Sequence, residues 1–366
     1  MKIALAIGTR PEVIKIAILA NKLRSKLGGD FELWDSGQHY DYNLDEIFYE
    51  EMHITPPDVN FNIMSDCTSV QIGKMMACME HHIERFKPNI VIVAGDTNST
   101  YGAAYMAKRC NCKLAHIEAG PREYFVHYTN GHPTFFKTKA MLNMAENLNR
   151  ILIDNMSDYL FAPTPMSHDN LLHERLFGDK ILSGDIQFDV LLKWLPSIKN
   201  MPFPRKDFNL LTLHRAENTD FKINLVRIMN AFIESDEDII FPMHPRTKAK
   251  LESIGKYRDV INAPHITVCE PMGFLDFTNA LLHCKKVFTD SGGVQKEAYL
   301  LNKPCVTLRE STGWTDIVLS GDNRIVGSNK KHIMDELKNT TKFISKNKGI
   351  YGDGKATDRI INYLLK

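Results

Sequence analysis

No apolar run in this 366-residue chain approaches the ~20 residues that a membrane span needs, so a membrane-spanning role is not expected. The stretch Met1 to Gly8 is too short for a signal peptide and lacks a cleavage region. An excess of one charge is missing as well. Forty-five Lys and Arg face 44 Asp and Glu, a formal net charge of +1, which removes the electrostatic case for nucleic acid or an anionic membrane as partner. Any acidic ligand must be met by local cations. Cysteine pairing is also lacking. The seven cysteines are an odd number, and Cys110 and Cys112 have no matching His or Cys pair. No structural zinc is expected, and a reduced, cytoplasmic compartment is the simplest inference. There is no low-complexity tract and no short repeat.

What is present is a rhythm of short β-branched runs separated by helical stretches. The first set is Lys2 to Ile7, Phe31 to Asp35, Ile90 to Ala94, Lys113 to Ile117, Tyr159 to Ala162 and Ile181 to Ser183. The second runs from Asn209 to Leu213, Ile239 to Met243, Ile266 to Cys269, Lys286 to Thr289, Cys305 to Leu308 and Arg324 to Val326. Strands alternating with helices of roughly 10 to 15 residues imply parallel sheets covered on both faces. The expected fold class is α/β, with two Rossmann-like doubly wound domains facing across a cleft. The expected division is 1–186 and 187–354, with a closing helix at 355–366 for which packing on the first domain and on the second both stay open. Prolines between Leu195 and Pro204 are expected to interrupt any helix there. The aromatic stretch from Glu123 to Lys137 is too long for an ordinary loop, and a lid, a partner surface and a poorly ordered insertion stay open as readings.

Two strings read as strand-to-helix anion sites. In Gly8-Thr9-Arg10-Pro11-Glu12, Gly8 permits a sharp turn and Pro11 suits a first helical position, which holds Arg10 beside free backbone donors. In Thr289-Asp290-Ser291-Gly292-Gly293, small residues let amides and a hydroxyl approach a phosphate at a helix's positive end. One such turn in each half suggests a diphosphate ligand. Asp96 and Glu118 both follow apolar strands, and ligands collect at that edge of a parallel sheet. With Glu146 they form a candidate trio whose mutual repulsion would separate acid and base states. The bland alternatives are Asp96 as a helix cap and Glu146 paired with Arg150. His214 and Arg215 follow another strand, suited to phosphate binding or proton transfer.

Together with Ser36-Gly37-Gln38-His39, Gly95-Asp96-Thr97, His116-Ile117-Glu118-Ala119-Gly120, Asn149-Arg150, Phe161-Ala162-Pro163-Thr164 and His214-Arg215-Ala216-Glu217-Asn218, these strings resemble the non-hydrolysing UDP-N-acetylglucosamine 2-epimerases. The resemblance implies a GT-B-like pair of domains, a UDP-sugar substrate, and inversion at C2 with neither metal nor redox cofactor. It implies Asp96, Glu118, Glu146 and His214 as catalytic residues. It implies Arg10, Lys15, His214, Phe277, Ser291, Gly292, Gly293 and Glu297 as substrate-binding residues. A homodimer is the expected assembly. UDP-N-acetylglucosamine to UDP-N-acetylmannosamine is the expected conversion. A UDP-2,3-diacetamido uronic acid is the rival substrate, and a GT-B glycosyltransferase or a non-catalytic UDP-sugar sensor are the readings from other classes.

Several strings depart from the family's pattern. Ala145-Glu146-Asn147 stands where Pro-Glu-Glu is common, Pro121 replaces the usual Leu, and Thr312-Gly313-Trp314-Thr315-Asp316 replaces a Thr-Glu-Arg-Pro-Glu segment. Cys67 and Thr68 stand where many members carry an Arg-Gln pair that helps hold an activating second nucleotide sugar. Hyperbolic kinetics without obligatory activation are therefore expected.

Overall fold

The computed structural model describes residues 1–37, 52–64, 67–339 and 349–366, and only the backbone of Arg10 and Pro11. Two compact units result, one of residues 1–122, 138–193 and 349–366, the other of 123–137 and 194–348.

The first unit is built on a parallel sheet. Its strands are β1 (Ile3–Ile7), β2 (Phe31–Asp35), β3 (Val59–Asn60), β4 (Ile90–Ala94), β5 (Lys113–Ile117), β8 (Tyr159–Ala162) and β9 (Asp179–Leu182), in the spatial order β3-β2-β1-β4-β5-β8-β9. All five residues of β1 and of β4 are buried, as strands covered by helices on both faces require. The strand order reverses direction between β1 and β4, which creates a crevice beyond their carboxyl ends. Among the described residues, no helix is long and apolar enough to cross a membrane.

The second unit repeats the plan with β10 (Asn209–Thr212), β11 (Ile239–Pro242), β12 (Ile266–Cys269), β13 (Val287–Thr289), β14 (Cys305–Thr307) and β16 (Asn323–Ile325), ordered β12-β11-β10-β13-β14-β16. Its reversal lies between β10 and β13. The aromatic stretch is neither a loop nor disordered chain. It forms a hairpin, β6 (Tyr124–Thr129) and β7 (His132–Phe136), turning at Asn130-Gly131, both with positive φ as a tight two-residue turn demands. Strand β15 (Ser311–Thr312) pairs antiparallel with β6, giving a three-stranded sheet in the order β15-β6-β7.

One expectation needs correcting. Helix Ile186–Lys199 runs through Pro196 instead of stopping before it. Proline lacks an amide donor and crowds the carbonyl four residues back, but here that conflict is confined to the last turn. The same helix carries Asp189, which accepts hydrogen bonds from the amides of Ala356 (3.1 Å) and Thr357 (2.7 Å). Those are orphan donors at the start of helix Ala356–Leu364, whose Ile360, Ile361 and Leu364 are buried in the first unit.

Candidate active site

In the first unit the chemistry gathers at the crevice beyond β1, β4 and β5. Gly95, at φ +77°, turns the chain out of β4, and Thr97, not Asp96, caps the following helix by accepting from the Thr100 amide at 3.2 Å. The capping explanation for Asp96 thus fails, and its carboxylate meets Arg150 at 2.6 Å instead. Glu118 leaves β5 with φ +68°, a left-handed conformation unusual for a side chain of its size, and it is buried. It takes a 2.7 Å hydrogen bond from Lys15 and lies 3.9 Å from Arg150. Arg150 therefore bridges the two carboxylates from the far side. Its helix, Ala145–Met156, carries Glu146 in its first turn, one turn ahead of Arg150. Asn149 fixes that helix by donating to the Asp96 carbonyl at 3.0 Å.

The first unit also buries a carboxyl outside the expected trio. Glu12 is pushed up from 4.5 to about 7, chiefly by burial, with Asp96 adding to the effect. The Gly8 amide at 2.6 Å, the Thr9 amide at 3.1 Å and Lys15 act against the rise. Glu12 also closes a capping box with Thr9 at the start of helix Arg10–Leu27. Beneath the crevice, fully buried Asp154 takes the His116 ring at 2.6 Å, Arg122 at 2.7 Å and the Gly120 amide at 3.1 Å. Gly120 sits at φ +94°, where a Cβ would fall 2.2 Å from the Ser167 carbonyl oxygen. These contacts hold the backbone on either side of Glu118.

The second unit's site lies at its own reversal. Asp290, fully buried after β13, reaches across to the turn after β10 and accepts from the amides of His214 (3.0 Å) and Arg215 (2.9 Å) and from the Asn218 side chain (3.2 Å). Burial depresses the His214 pKa, reinforced by Arg215, Arg246 and Arg309 and opposed by Asp290. His244 caps helix Pro245–Ser253 through the Arg246 amide, and its ring lies 5.7 Å from that of His214. Ser291 precedes helix Gly292–Leu300 and its side chain makes no capping hydrogen bond. The first amides of that helix, at Gly292 and Gly293, thus keep their donor capacity for an anion. Glu297 lies buried farther along the helix. Phe277 lies half-buried in helix Phe274–His283. The Arg10 side chain and residues Gln38 and His39 lie outside the described residues.

Sequence reasoning missed Glu12, Arg150 as a bridge, Asp290 and Arg309. Asp290 was quoted within its string without a role. Its signal was position, a carboxylate directly after a buried strand beside a glycine pair. Arg309 pairs with Glu217 and, at 3.2 Å, with Glu123.

With the geometry in place, comparison with known proteins is decisive. A family model described as UDP-N-acetylglucosamine 2-epimerase matches residues 21–365. The chain belongs to the UDP-N-acetylglucosamine 2-epimerase family. It is 39% identical to a UDP-N-acetylglucosamine 2-epimerase homolog of Methanococcus maripaludis, covering 100% of this chain and 99% of the relative. It is 35% identical to a UDP-2,3-diacetamido-2,3-dideoxy-D-glucuronate 2-epimerase of Pseudomonas aeruginosa, covering 100% of both. Among solved structures, the Methanocaldococcus jannaschii epimerase in complex with UDP-GlcNAc and UDP matches with a TM-score of 0.89 at 35% identity, covering 100% of this chain and 99% of that one. The 2-epimerase family is thus an α/β family of isomerases in which this chain's fold is well represented.

Proposed function

We propose that this chain interconverts UDP-N-acetylglucosamine and UDP-N-acetylmannosamine without hydrolysis. The observation that carries the reading is the pair Asp96 and Glu118, set at the ends of adjacent strands and joined through Arg150, with Lys15 on Glu118. One carboxylate removes the C2 proton, and the C–H electrons become a C1–C2 double bond. The C1–O bond breaks and its electrons leave with UDP. A carboxylic acid then protonates C2 on the opposite face while the UDP oxygen re-adds at C1. Glu146 shares this acid-base work, and every proton and electron pair is accounted for without a cofactor. The Ser291 hydroxyl, the amides of Gly292 and Gly293, His214 and Arg10 offset the charge that develops on the departing diphosphate. Lys15 holds Glu118, Glu297 accepts from the ribose, and Phe277 lines the uracil pocket. Residues 1–186 supply the carboxylates and 187–354 the UDP site. The enzyme works in the cytoplasm as a homodimer.

The Pseudomonas relative, equally complete in coverage, supports a diacetamido uronic acid nucleotide as the second substrate to test. Each UDP-sugar is incubated with the protein in deuterated water and C2 is followed by NMR. Deuterium at C2 together with the appearance of the C2 epimer identifies the substrate. Free UDP and free sugar as the only products would point to hydrolysis, and unlabelled C2 in all candidates would overturn the reading.

A further inference from the structure

The aromatic segment after Arg122 and the altered residues 312–316 are joined in space within the second unit. Ser311 pairs with Phe125 and Thr312 with Tyr124, and the Val126 amide donates to the Glu310 carbonyl at 3.1 Å. The hairpin is tied at both ends of that pairing. Glu123 binds Arg309 at 3.2 Å, and the Tyr128 hydroxyl accepts from the Ile325 amide at 3.1 Å. The paired Thr312 in turn holds Trp314, because its hydroxyl oxygen accepts from the Trp314 amide at 3.0 Å and the hydroxyl donates to Gln295 at 2.8 Å. Gln295 belongs to the helix that begins at Gly292.

Trp314 is only 6% exposed, and its ring lies under the buried Lys296 ammonium at 4.5 Å. Its Nε1 edge faces the start of that helix, where a Cβ on Gly292 would come within 3.1 Å of it. The helix start is therefore walled on one side by an indole whose position is set by β15, and β15 is held by the hairpin. We propose that Trp314, fixed by the β6–β7 hairpin through β15, is the positioning residue that shapes the Ser291–Gly292 turn for the UDP diphosphate. The inference rests on the reading that this turn meets UDP. A rigid wall keeps the turn's amides aimed before the ligand arrives, so its loss weakens binding of substrate and of UDP alike, with little effect on the chemistry at C2.

UDP is the probe. In the wild type, titration is expected to change the indole fluorescence, and Trp34 and Trp194 supply the background in Trp314→Phe. Trp314→Phe is expected to raise the Kd for UDP and the KM for the UDP-sugar by about 10-fold, with kcat within about twofold, and to abolish the fluorescence change. Val126→Pro removes the amide that binds Glu310, and Tyr128→Phe removes one acceptor while sparing the fold. Both are expected to shift KM in the same direction, by about 5-fold and about 2-fold. His132→Ala, on β7, which does not pair with β15, is expected to match the wild type. A wild type that binds UDP while Trp314→Phe and Tyr128→Phe keep its Kd, KM and fluorescence change would overturn the inference and leave the epimerase reading standing. A wild type that does not bind UDP would overturn both.

Discussion

Replacing Glu12 by Gln isolates one buried acid and predicts how the first unit responds to pH. In the folded chain the Glu12 carboxyl is raised from 4.5 to about 7, mainly by burial, so the native state keeps a proton that the unfolded chain releases. The stabilisation this provides is complete below about pH 4.5, falls as pH rises and is gone above about pH 7. At ~1.36 kcal/mol per pH unit the gap corresponds to about 3 kcal/mol. Glutamine resembles the protonated acid. Its oxygen can accept from the Gly8 and Thr9 amides, and its amide group can donate to the Thr100 hydroxyl, which binds Glu12 at 3.2 Å. The variant should therefore gain on the wild type as pH increases, from about 1 kcal/mol at pH 5 to about 3 kcal/mol at pH 8.5. At about 2–4 °C per kcal/mol for a domain of this size, the two melting curves should separate by a further ~4–8 °C across that range. Thermal unfolding of both proteins in matched buffers provides the measurement. Profiles that stay parallel within about 1 °C would show that Glu12 does not carry the proton, and the reasoning would fail.

Three further outcomes are expected. Asp96→Asn and Glu118→Gln should each lower turnover at least ~100-fold while calorimetry finds UDP affinity unchanged, and near-normal turnover in both would remove the carboxylate mechanism. Asp290→Asn should weaken UDP binding and lower the melting temperature, because the His214 and Arg215 amides lose a charged acceptor in a buried site, at about 1.5–3 kcal/mol; an unchanged melting curve would contradict it. Gly120→Ala forces a Cβ to 2.2 Å from the Ser167 carbonyl oxygen at a positive φ, so folded yield should collapse, and a soluble, active variant would refute the packing argument.

The repeating strands and helices, the two strand-to-helix turns and the placement of Asp96 and Glu118 at the ends of adjacent strands were legible from the chain alone. Each depends on local order: buried apolar runs that only parallel strands satisfy, glycines where the backbone must turn sharply, and carboxylates placed directly after strands. What surrounds those residues was not legible. Arg150 reaching Asp96, Lys15 reaching Glu118 and Asp290 gathering the 214–218 turn join residues far apart in sequence, and strand order decides such contacts. Pro196 inside a helix and Glu12 as a raised carboxyl depend on the same kind of context, since a proline's effect follows its place in the turn and a carboxyl's proton follows its burial. The 123–137 segment shows the limit most directly. Asn130-Gly131 marks a turn in the sequence, but its partner is β15, nearly two hundred residues away, and only the folded second unit brings the two strands together.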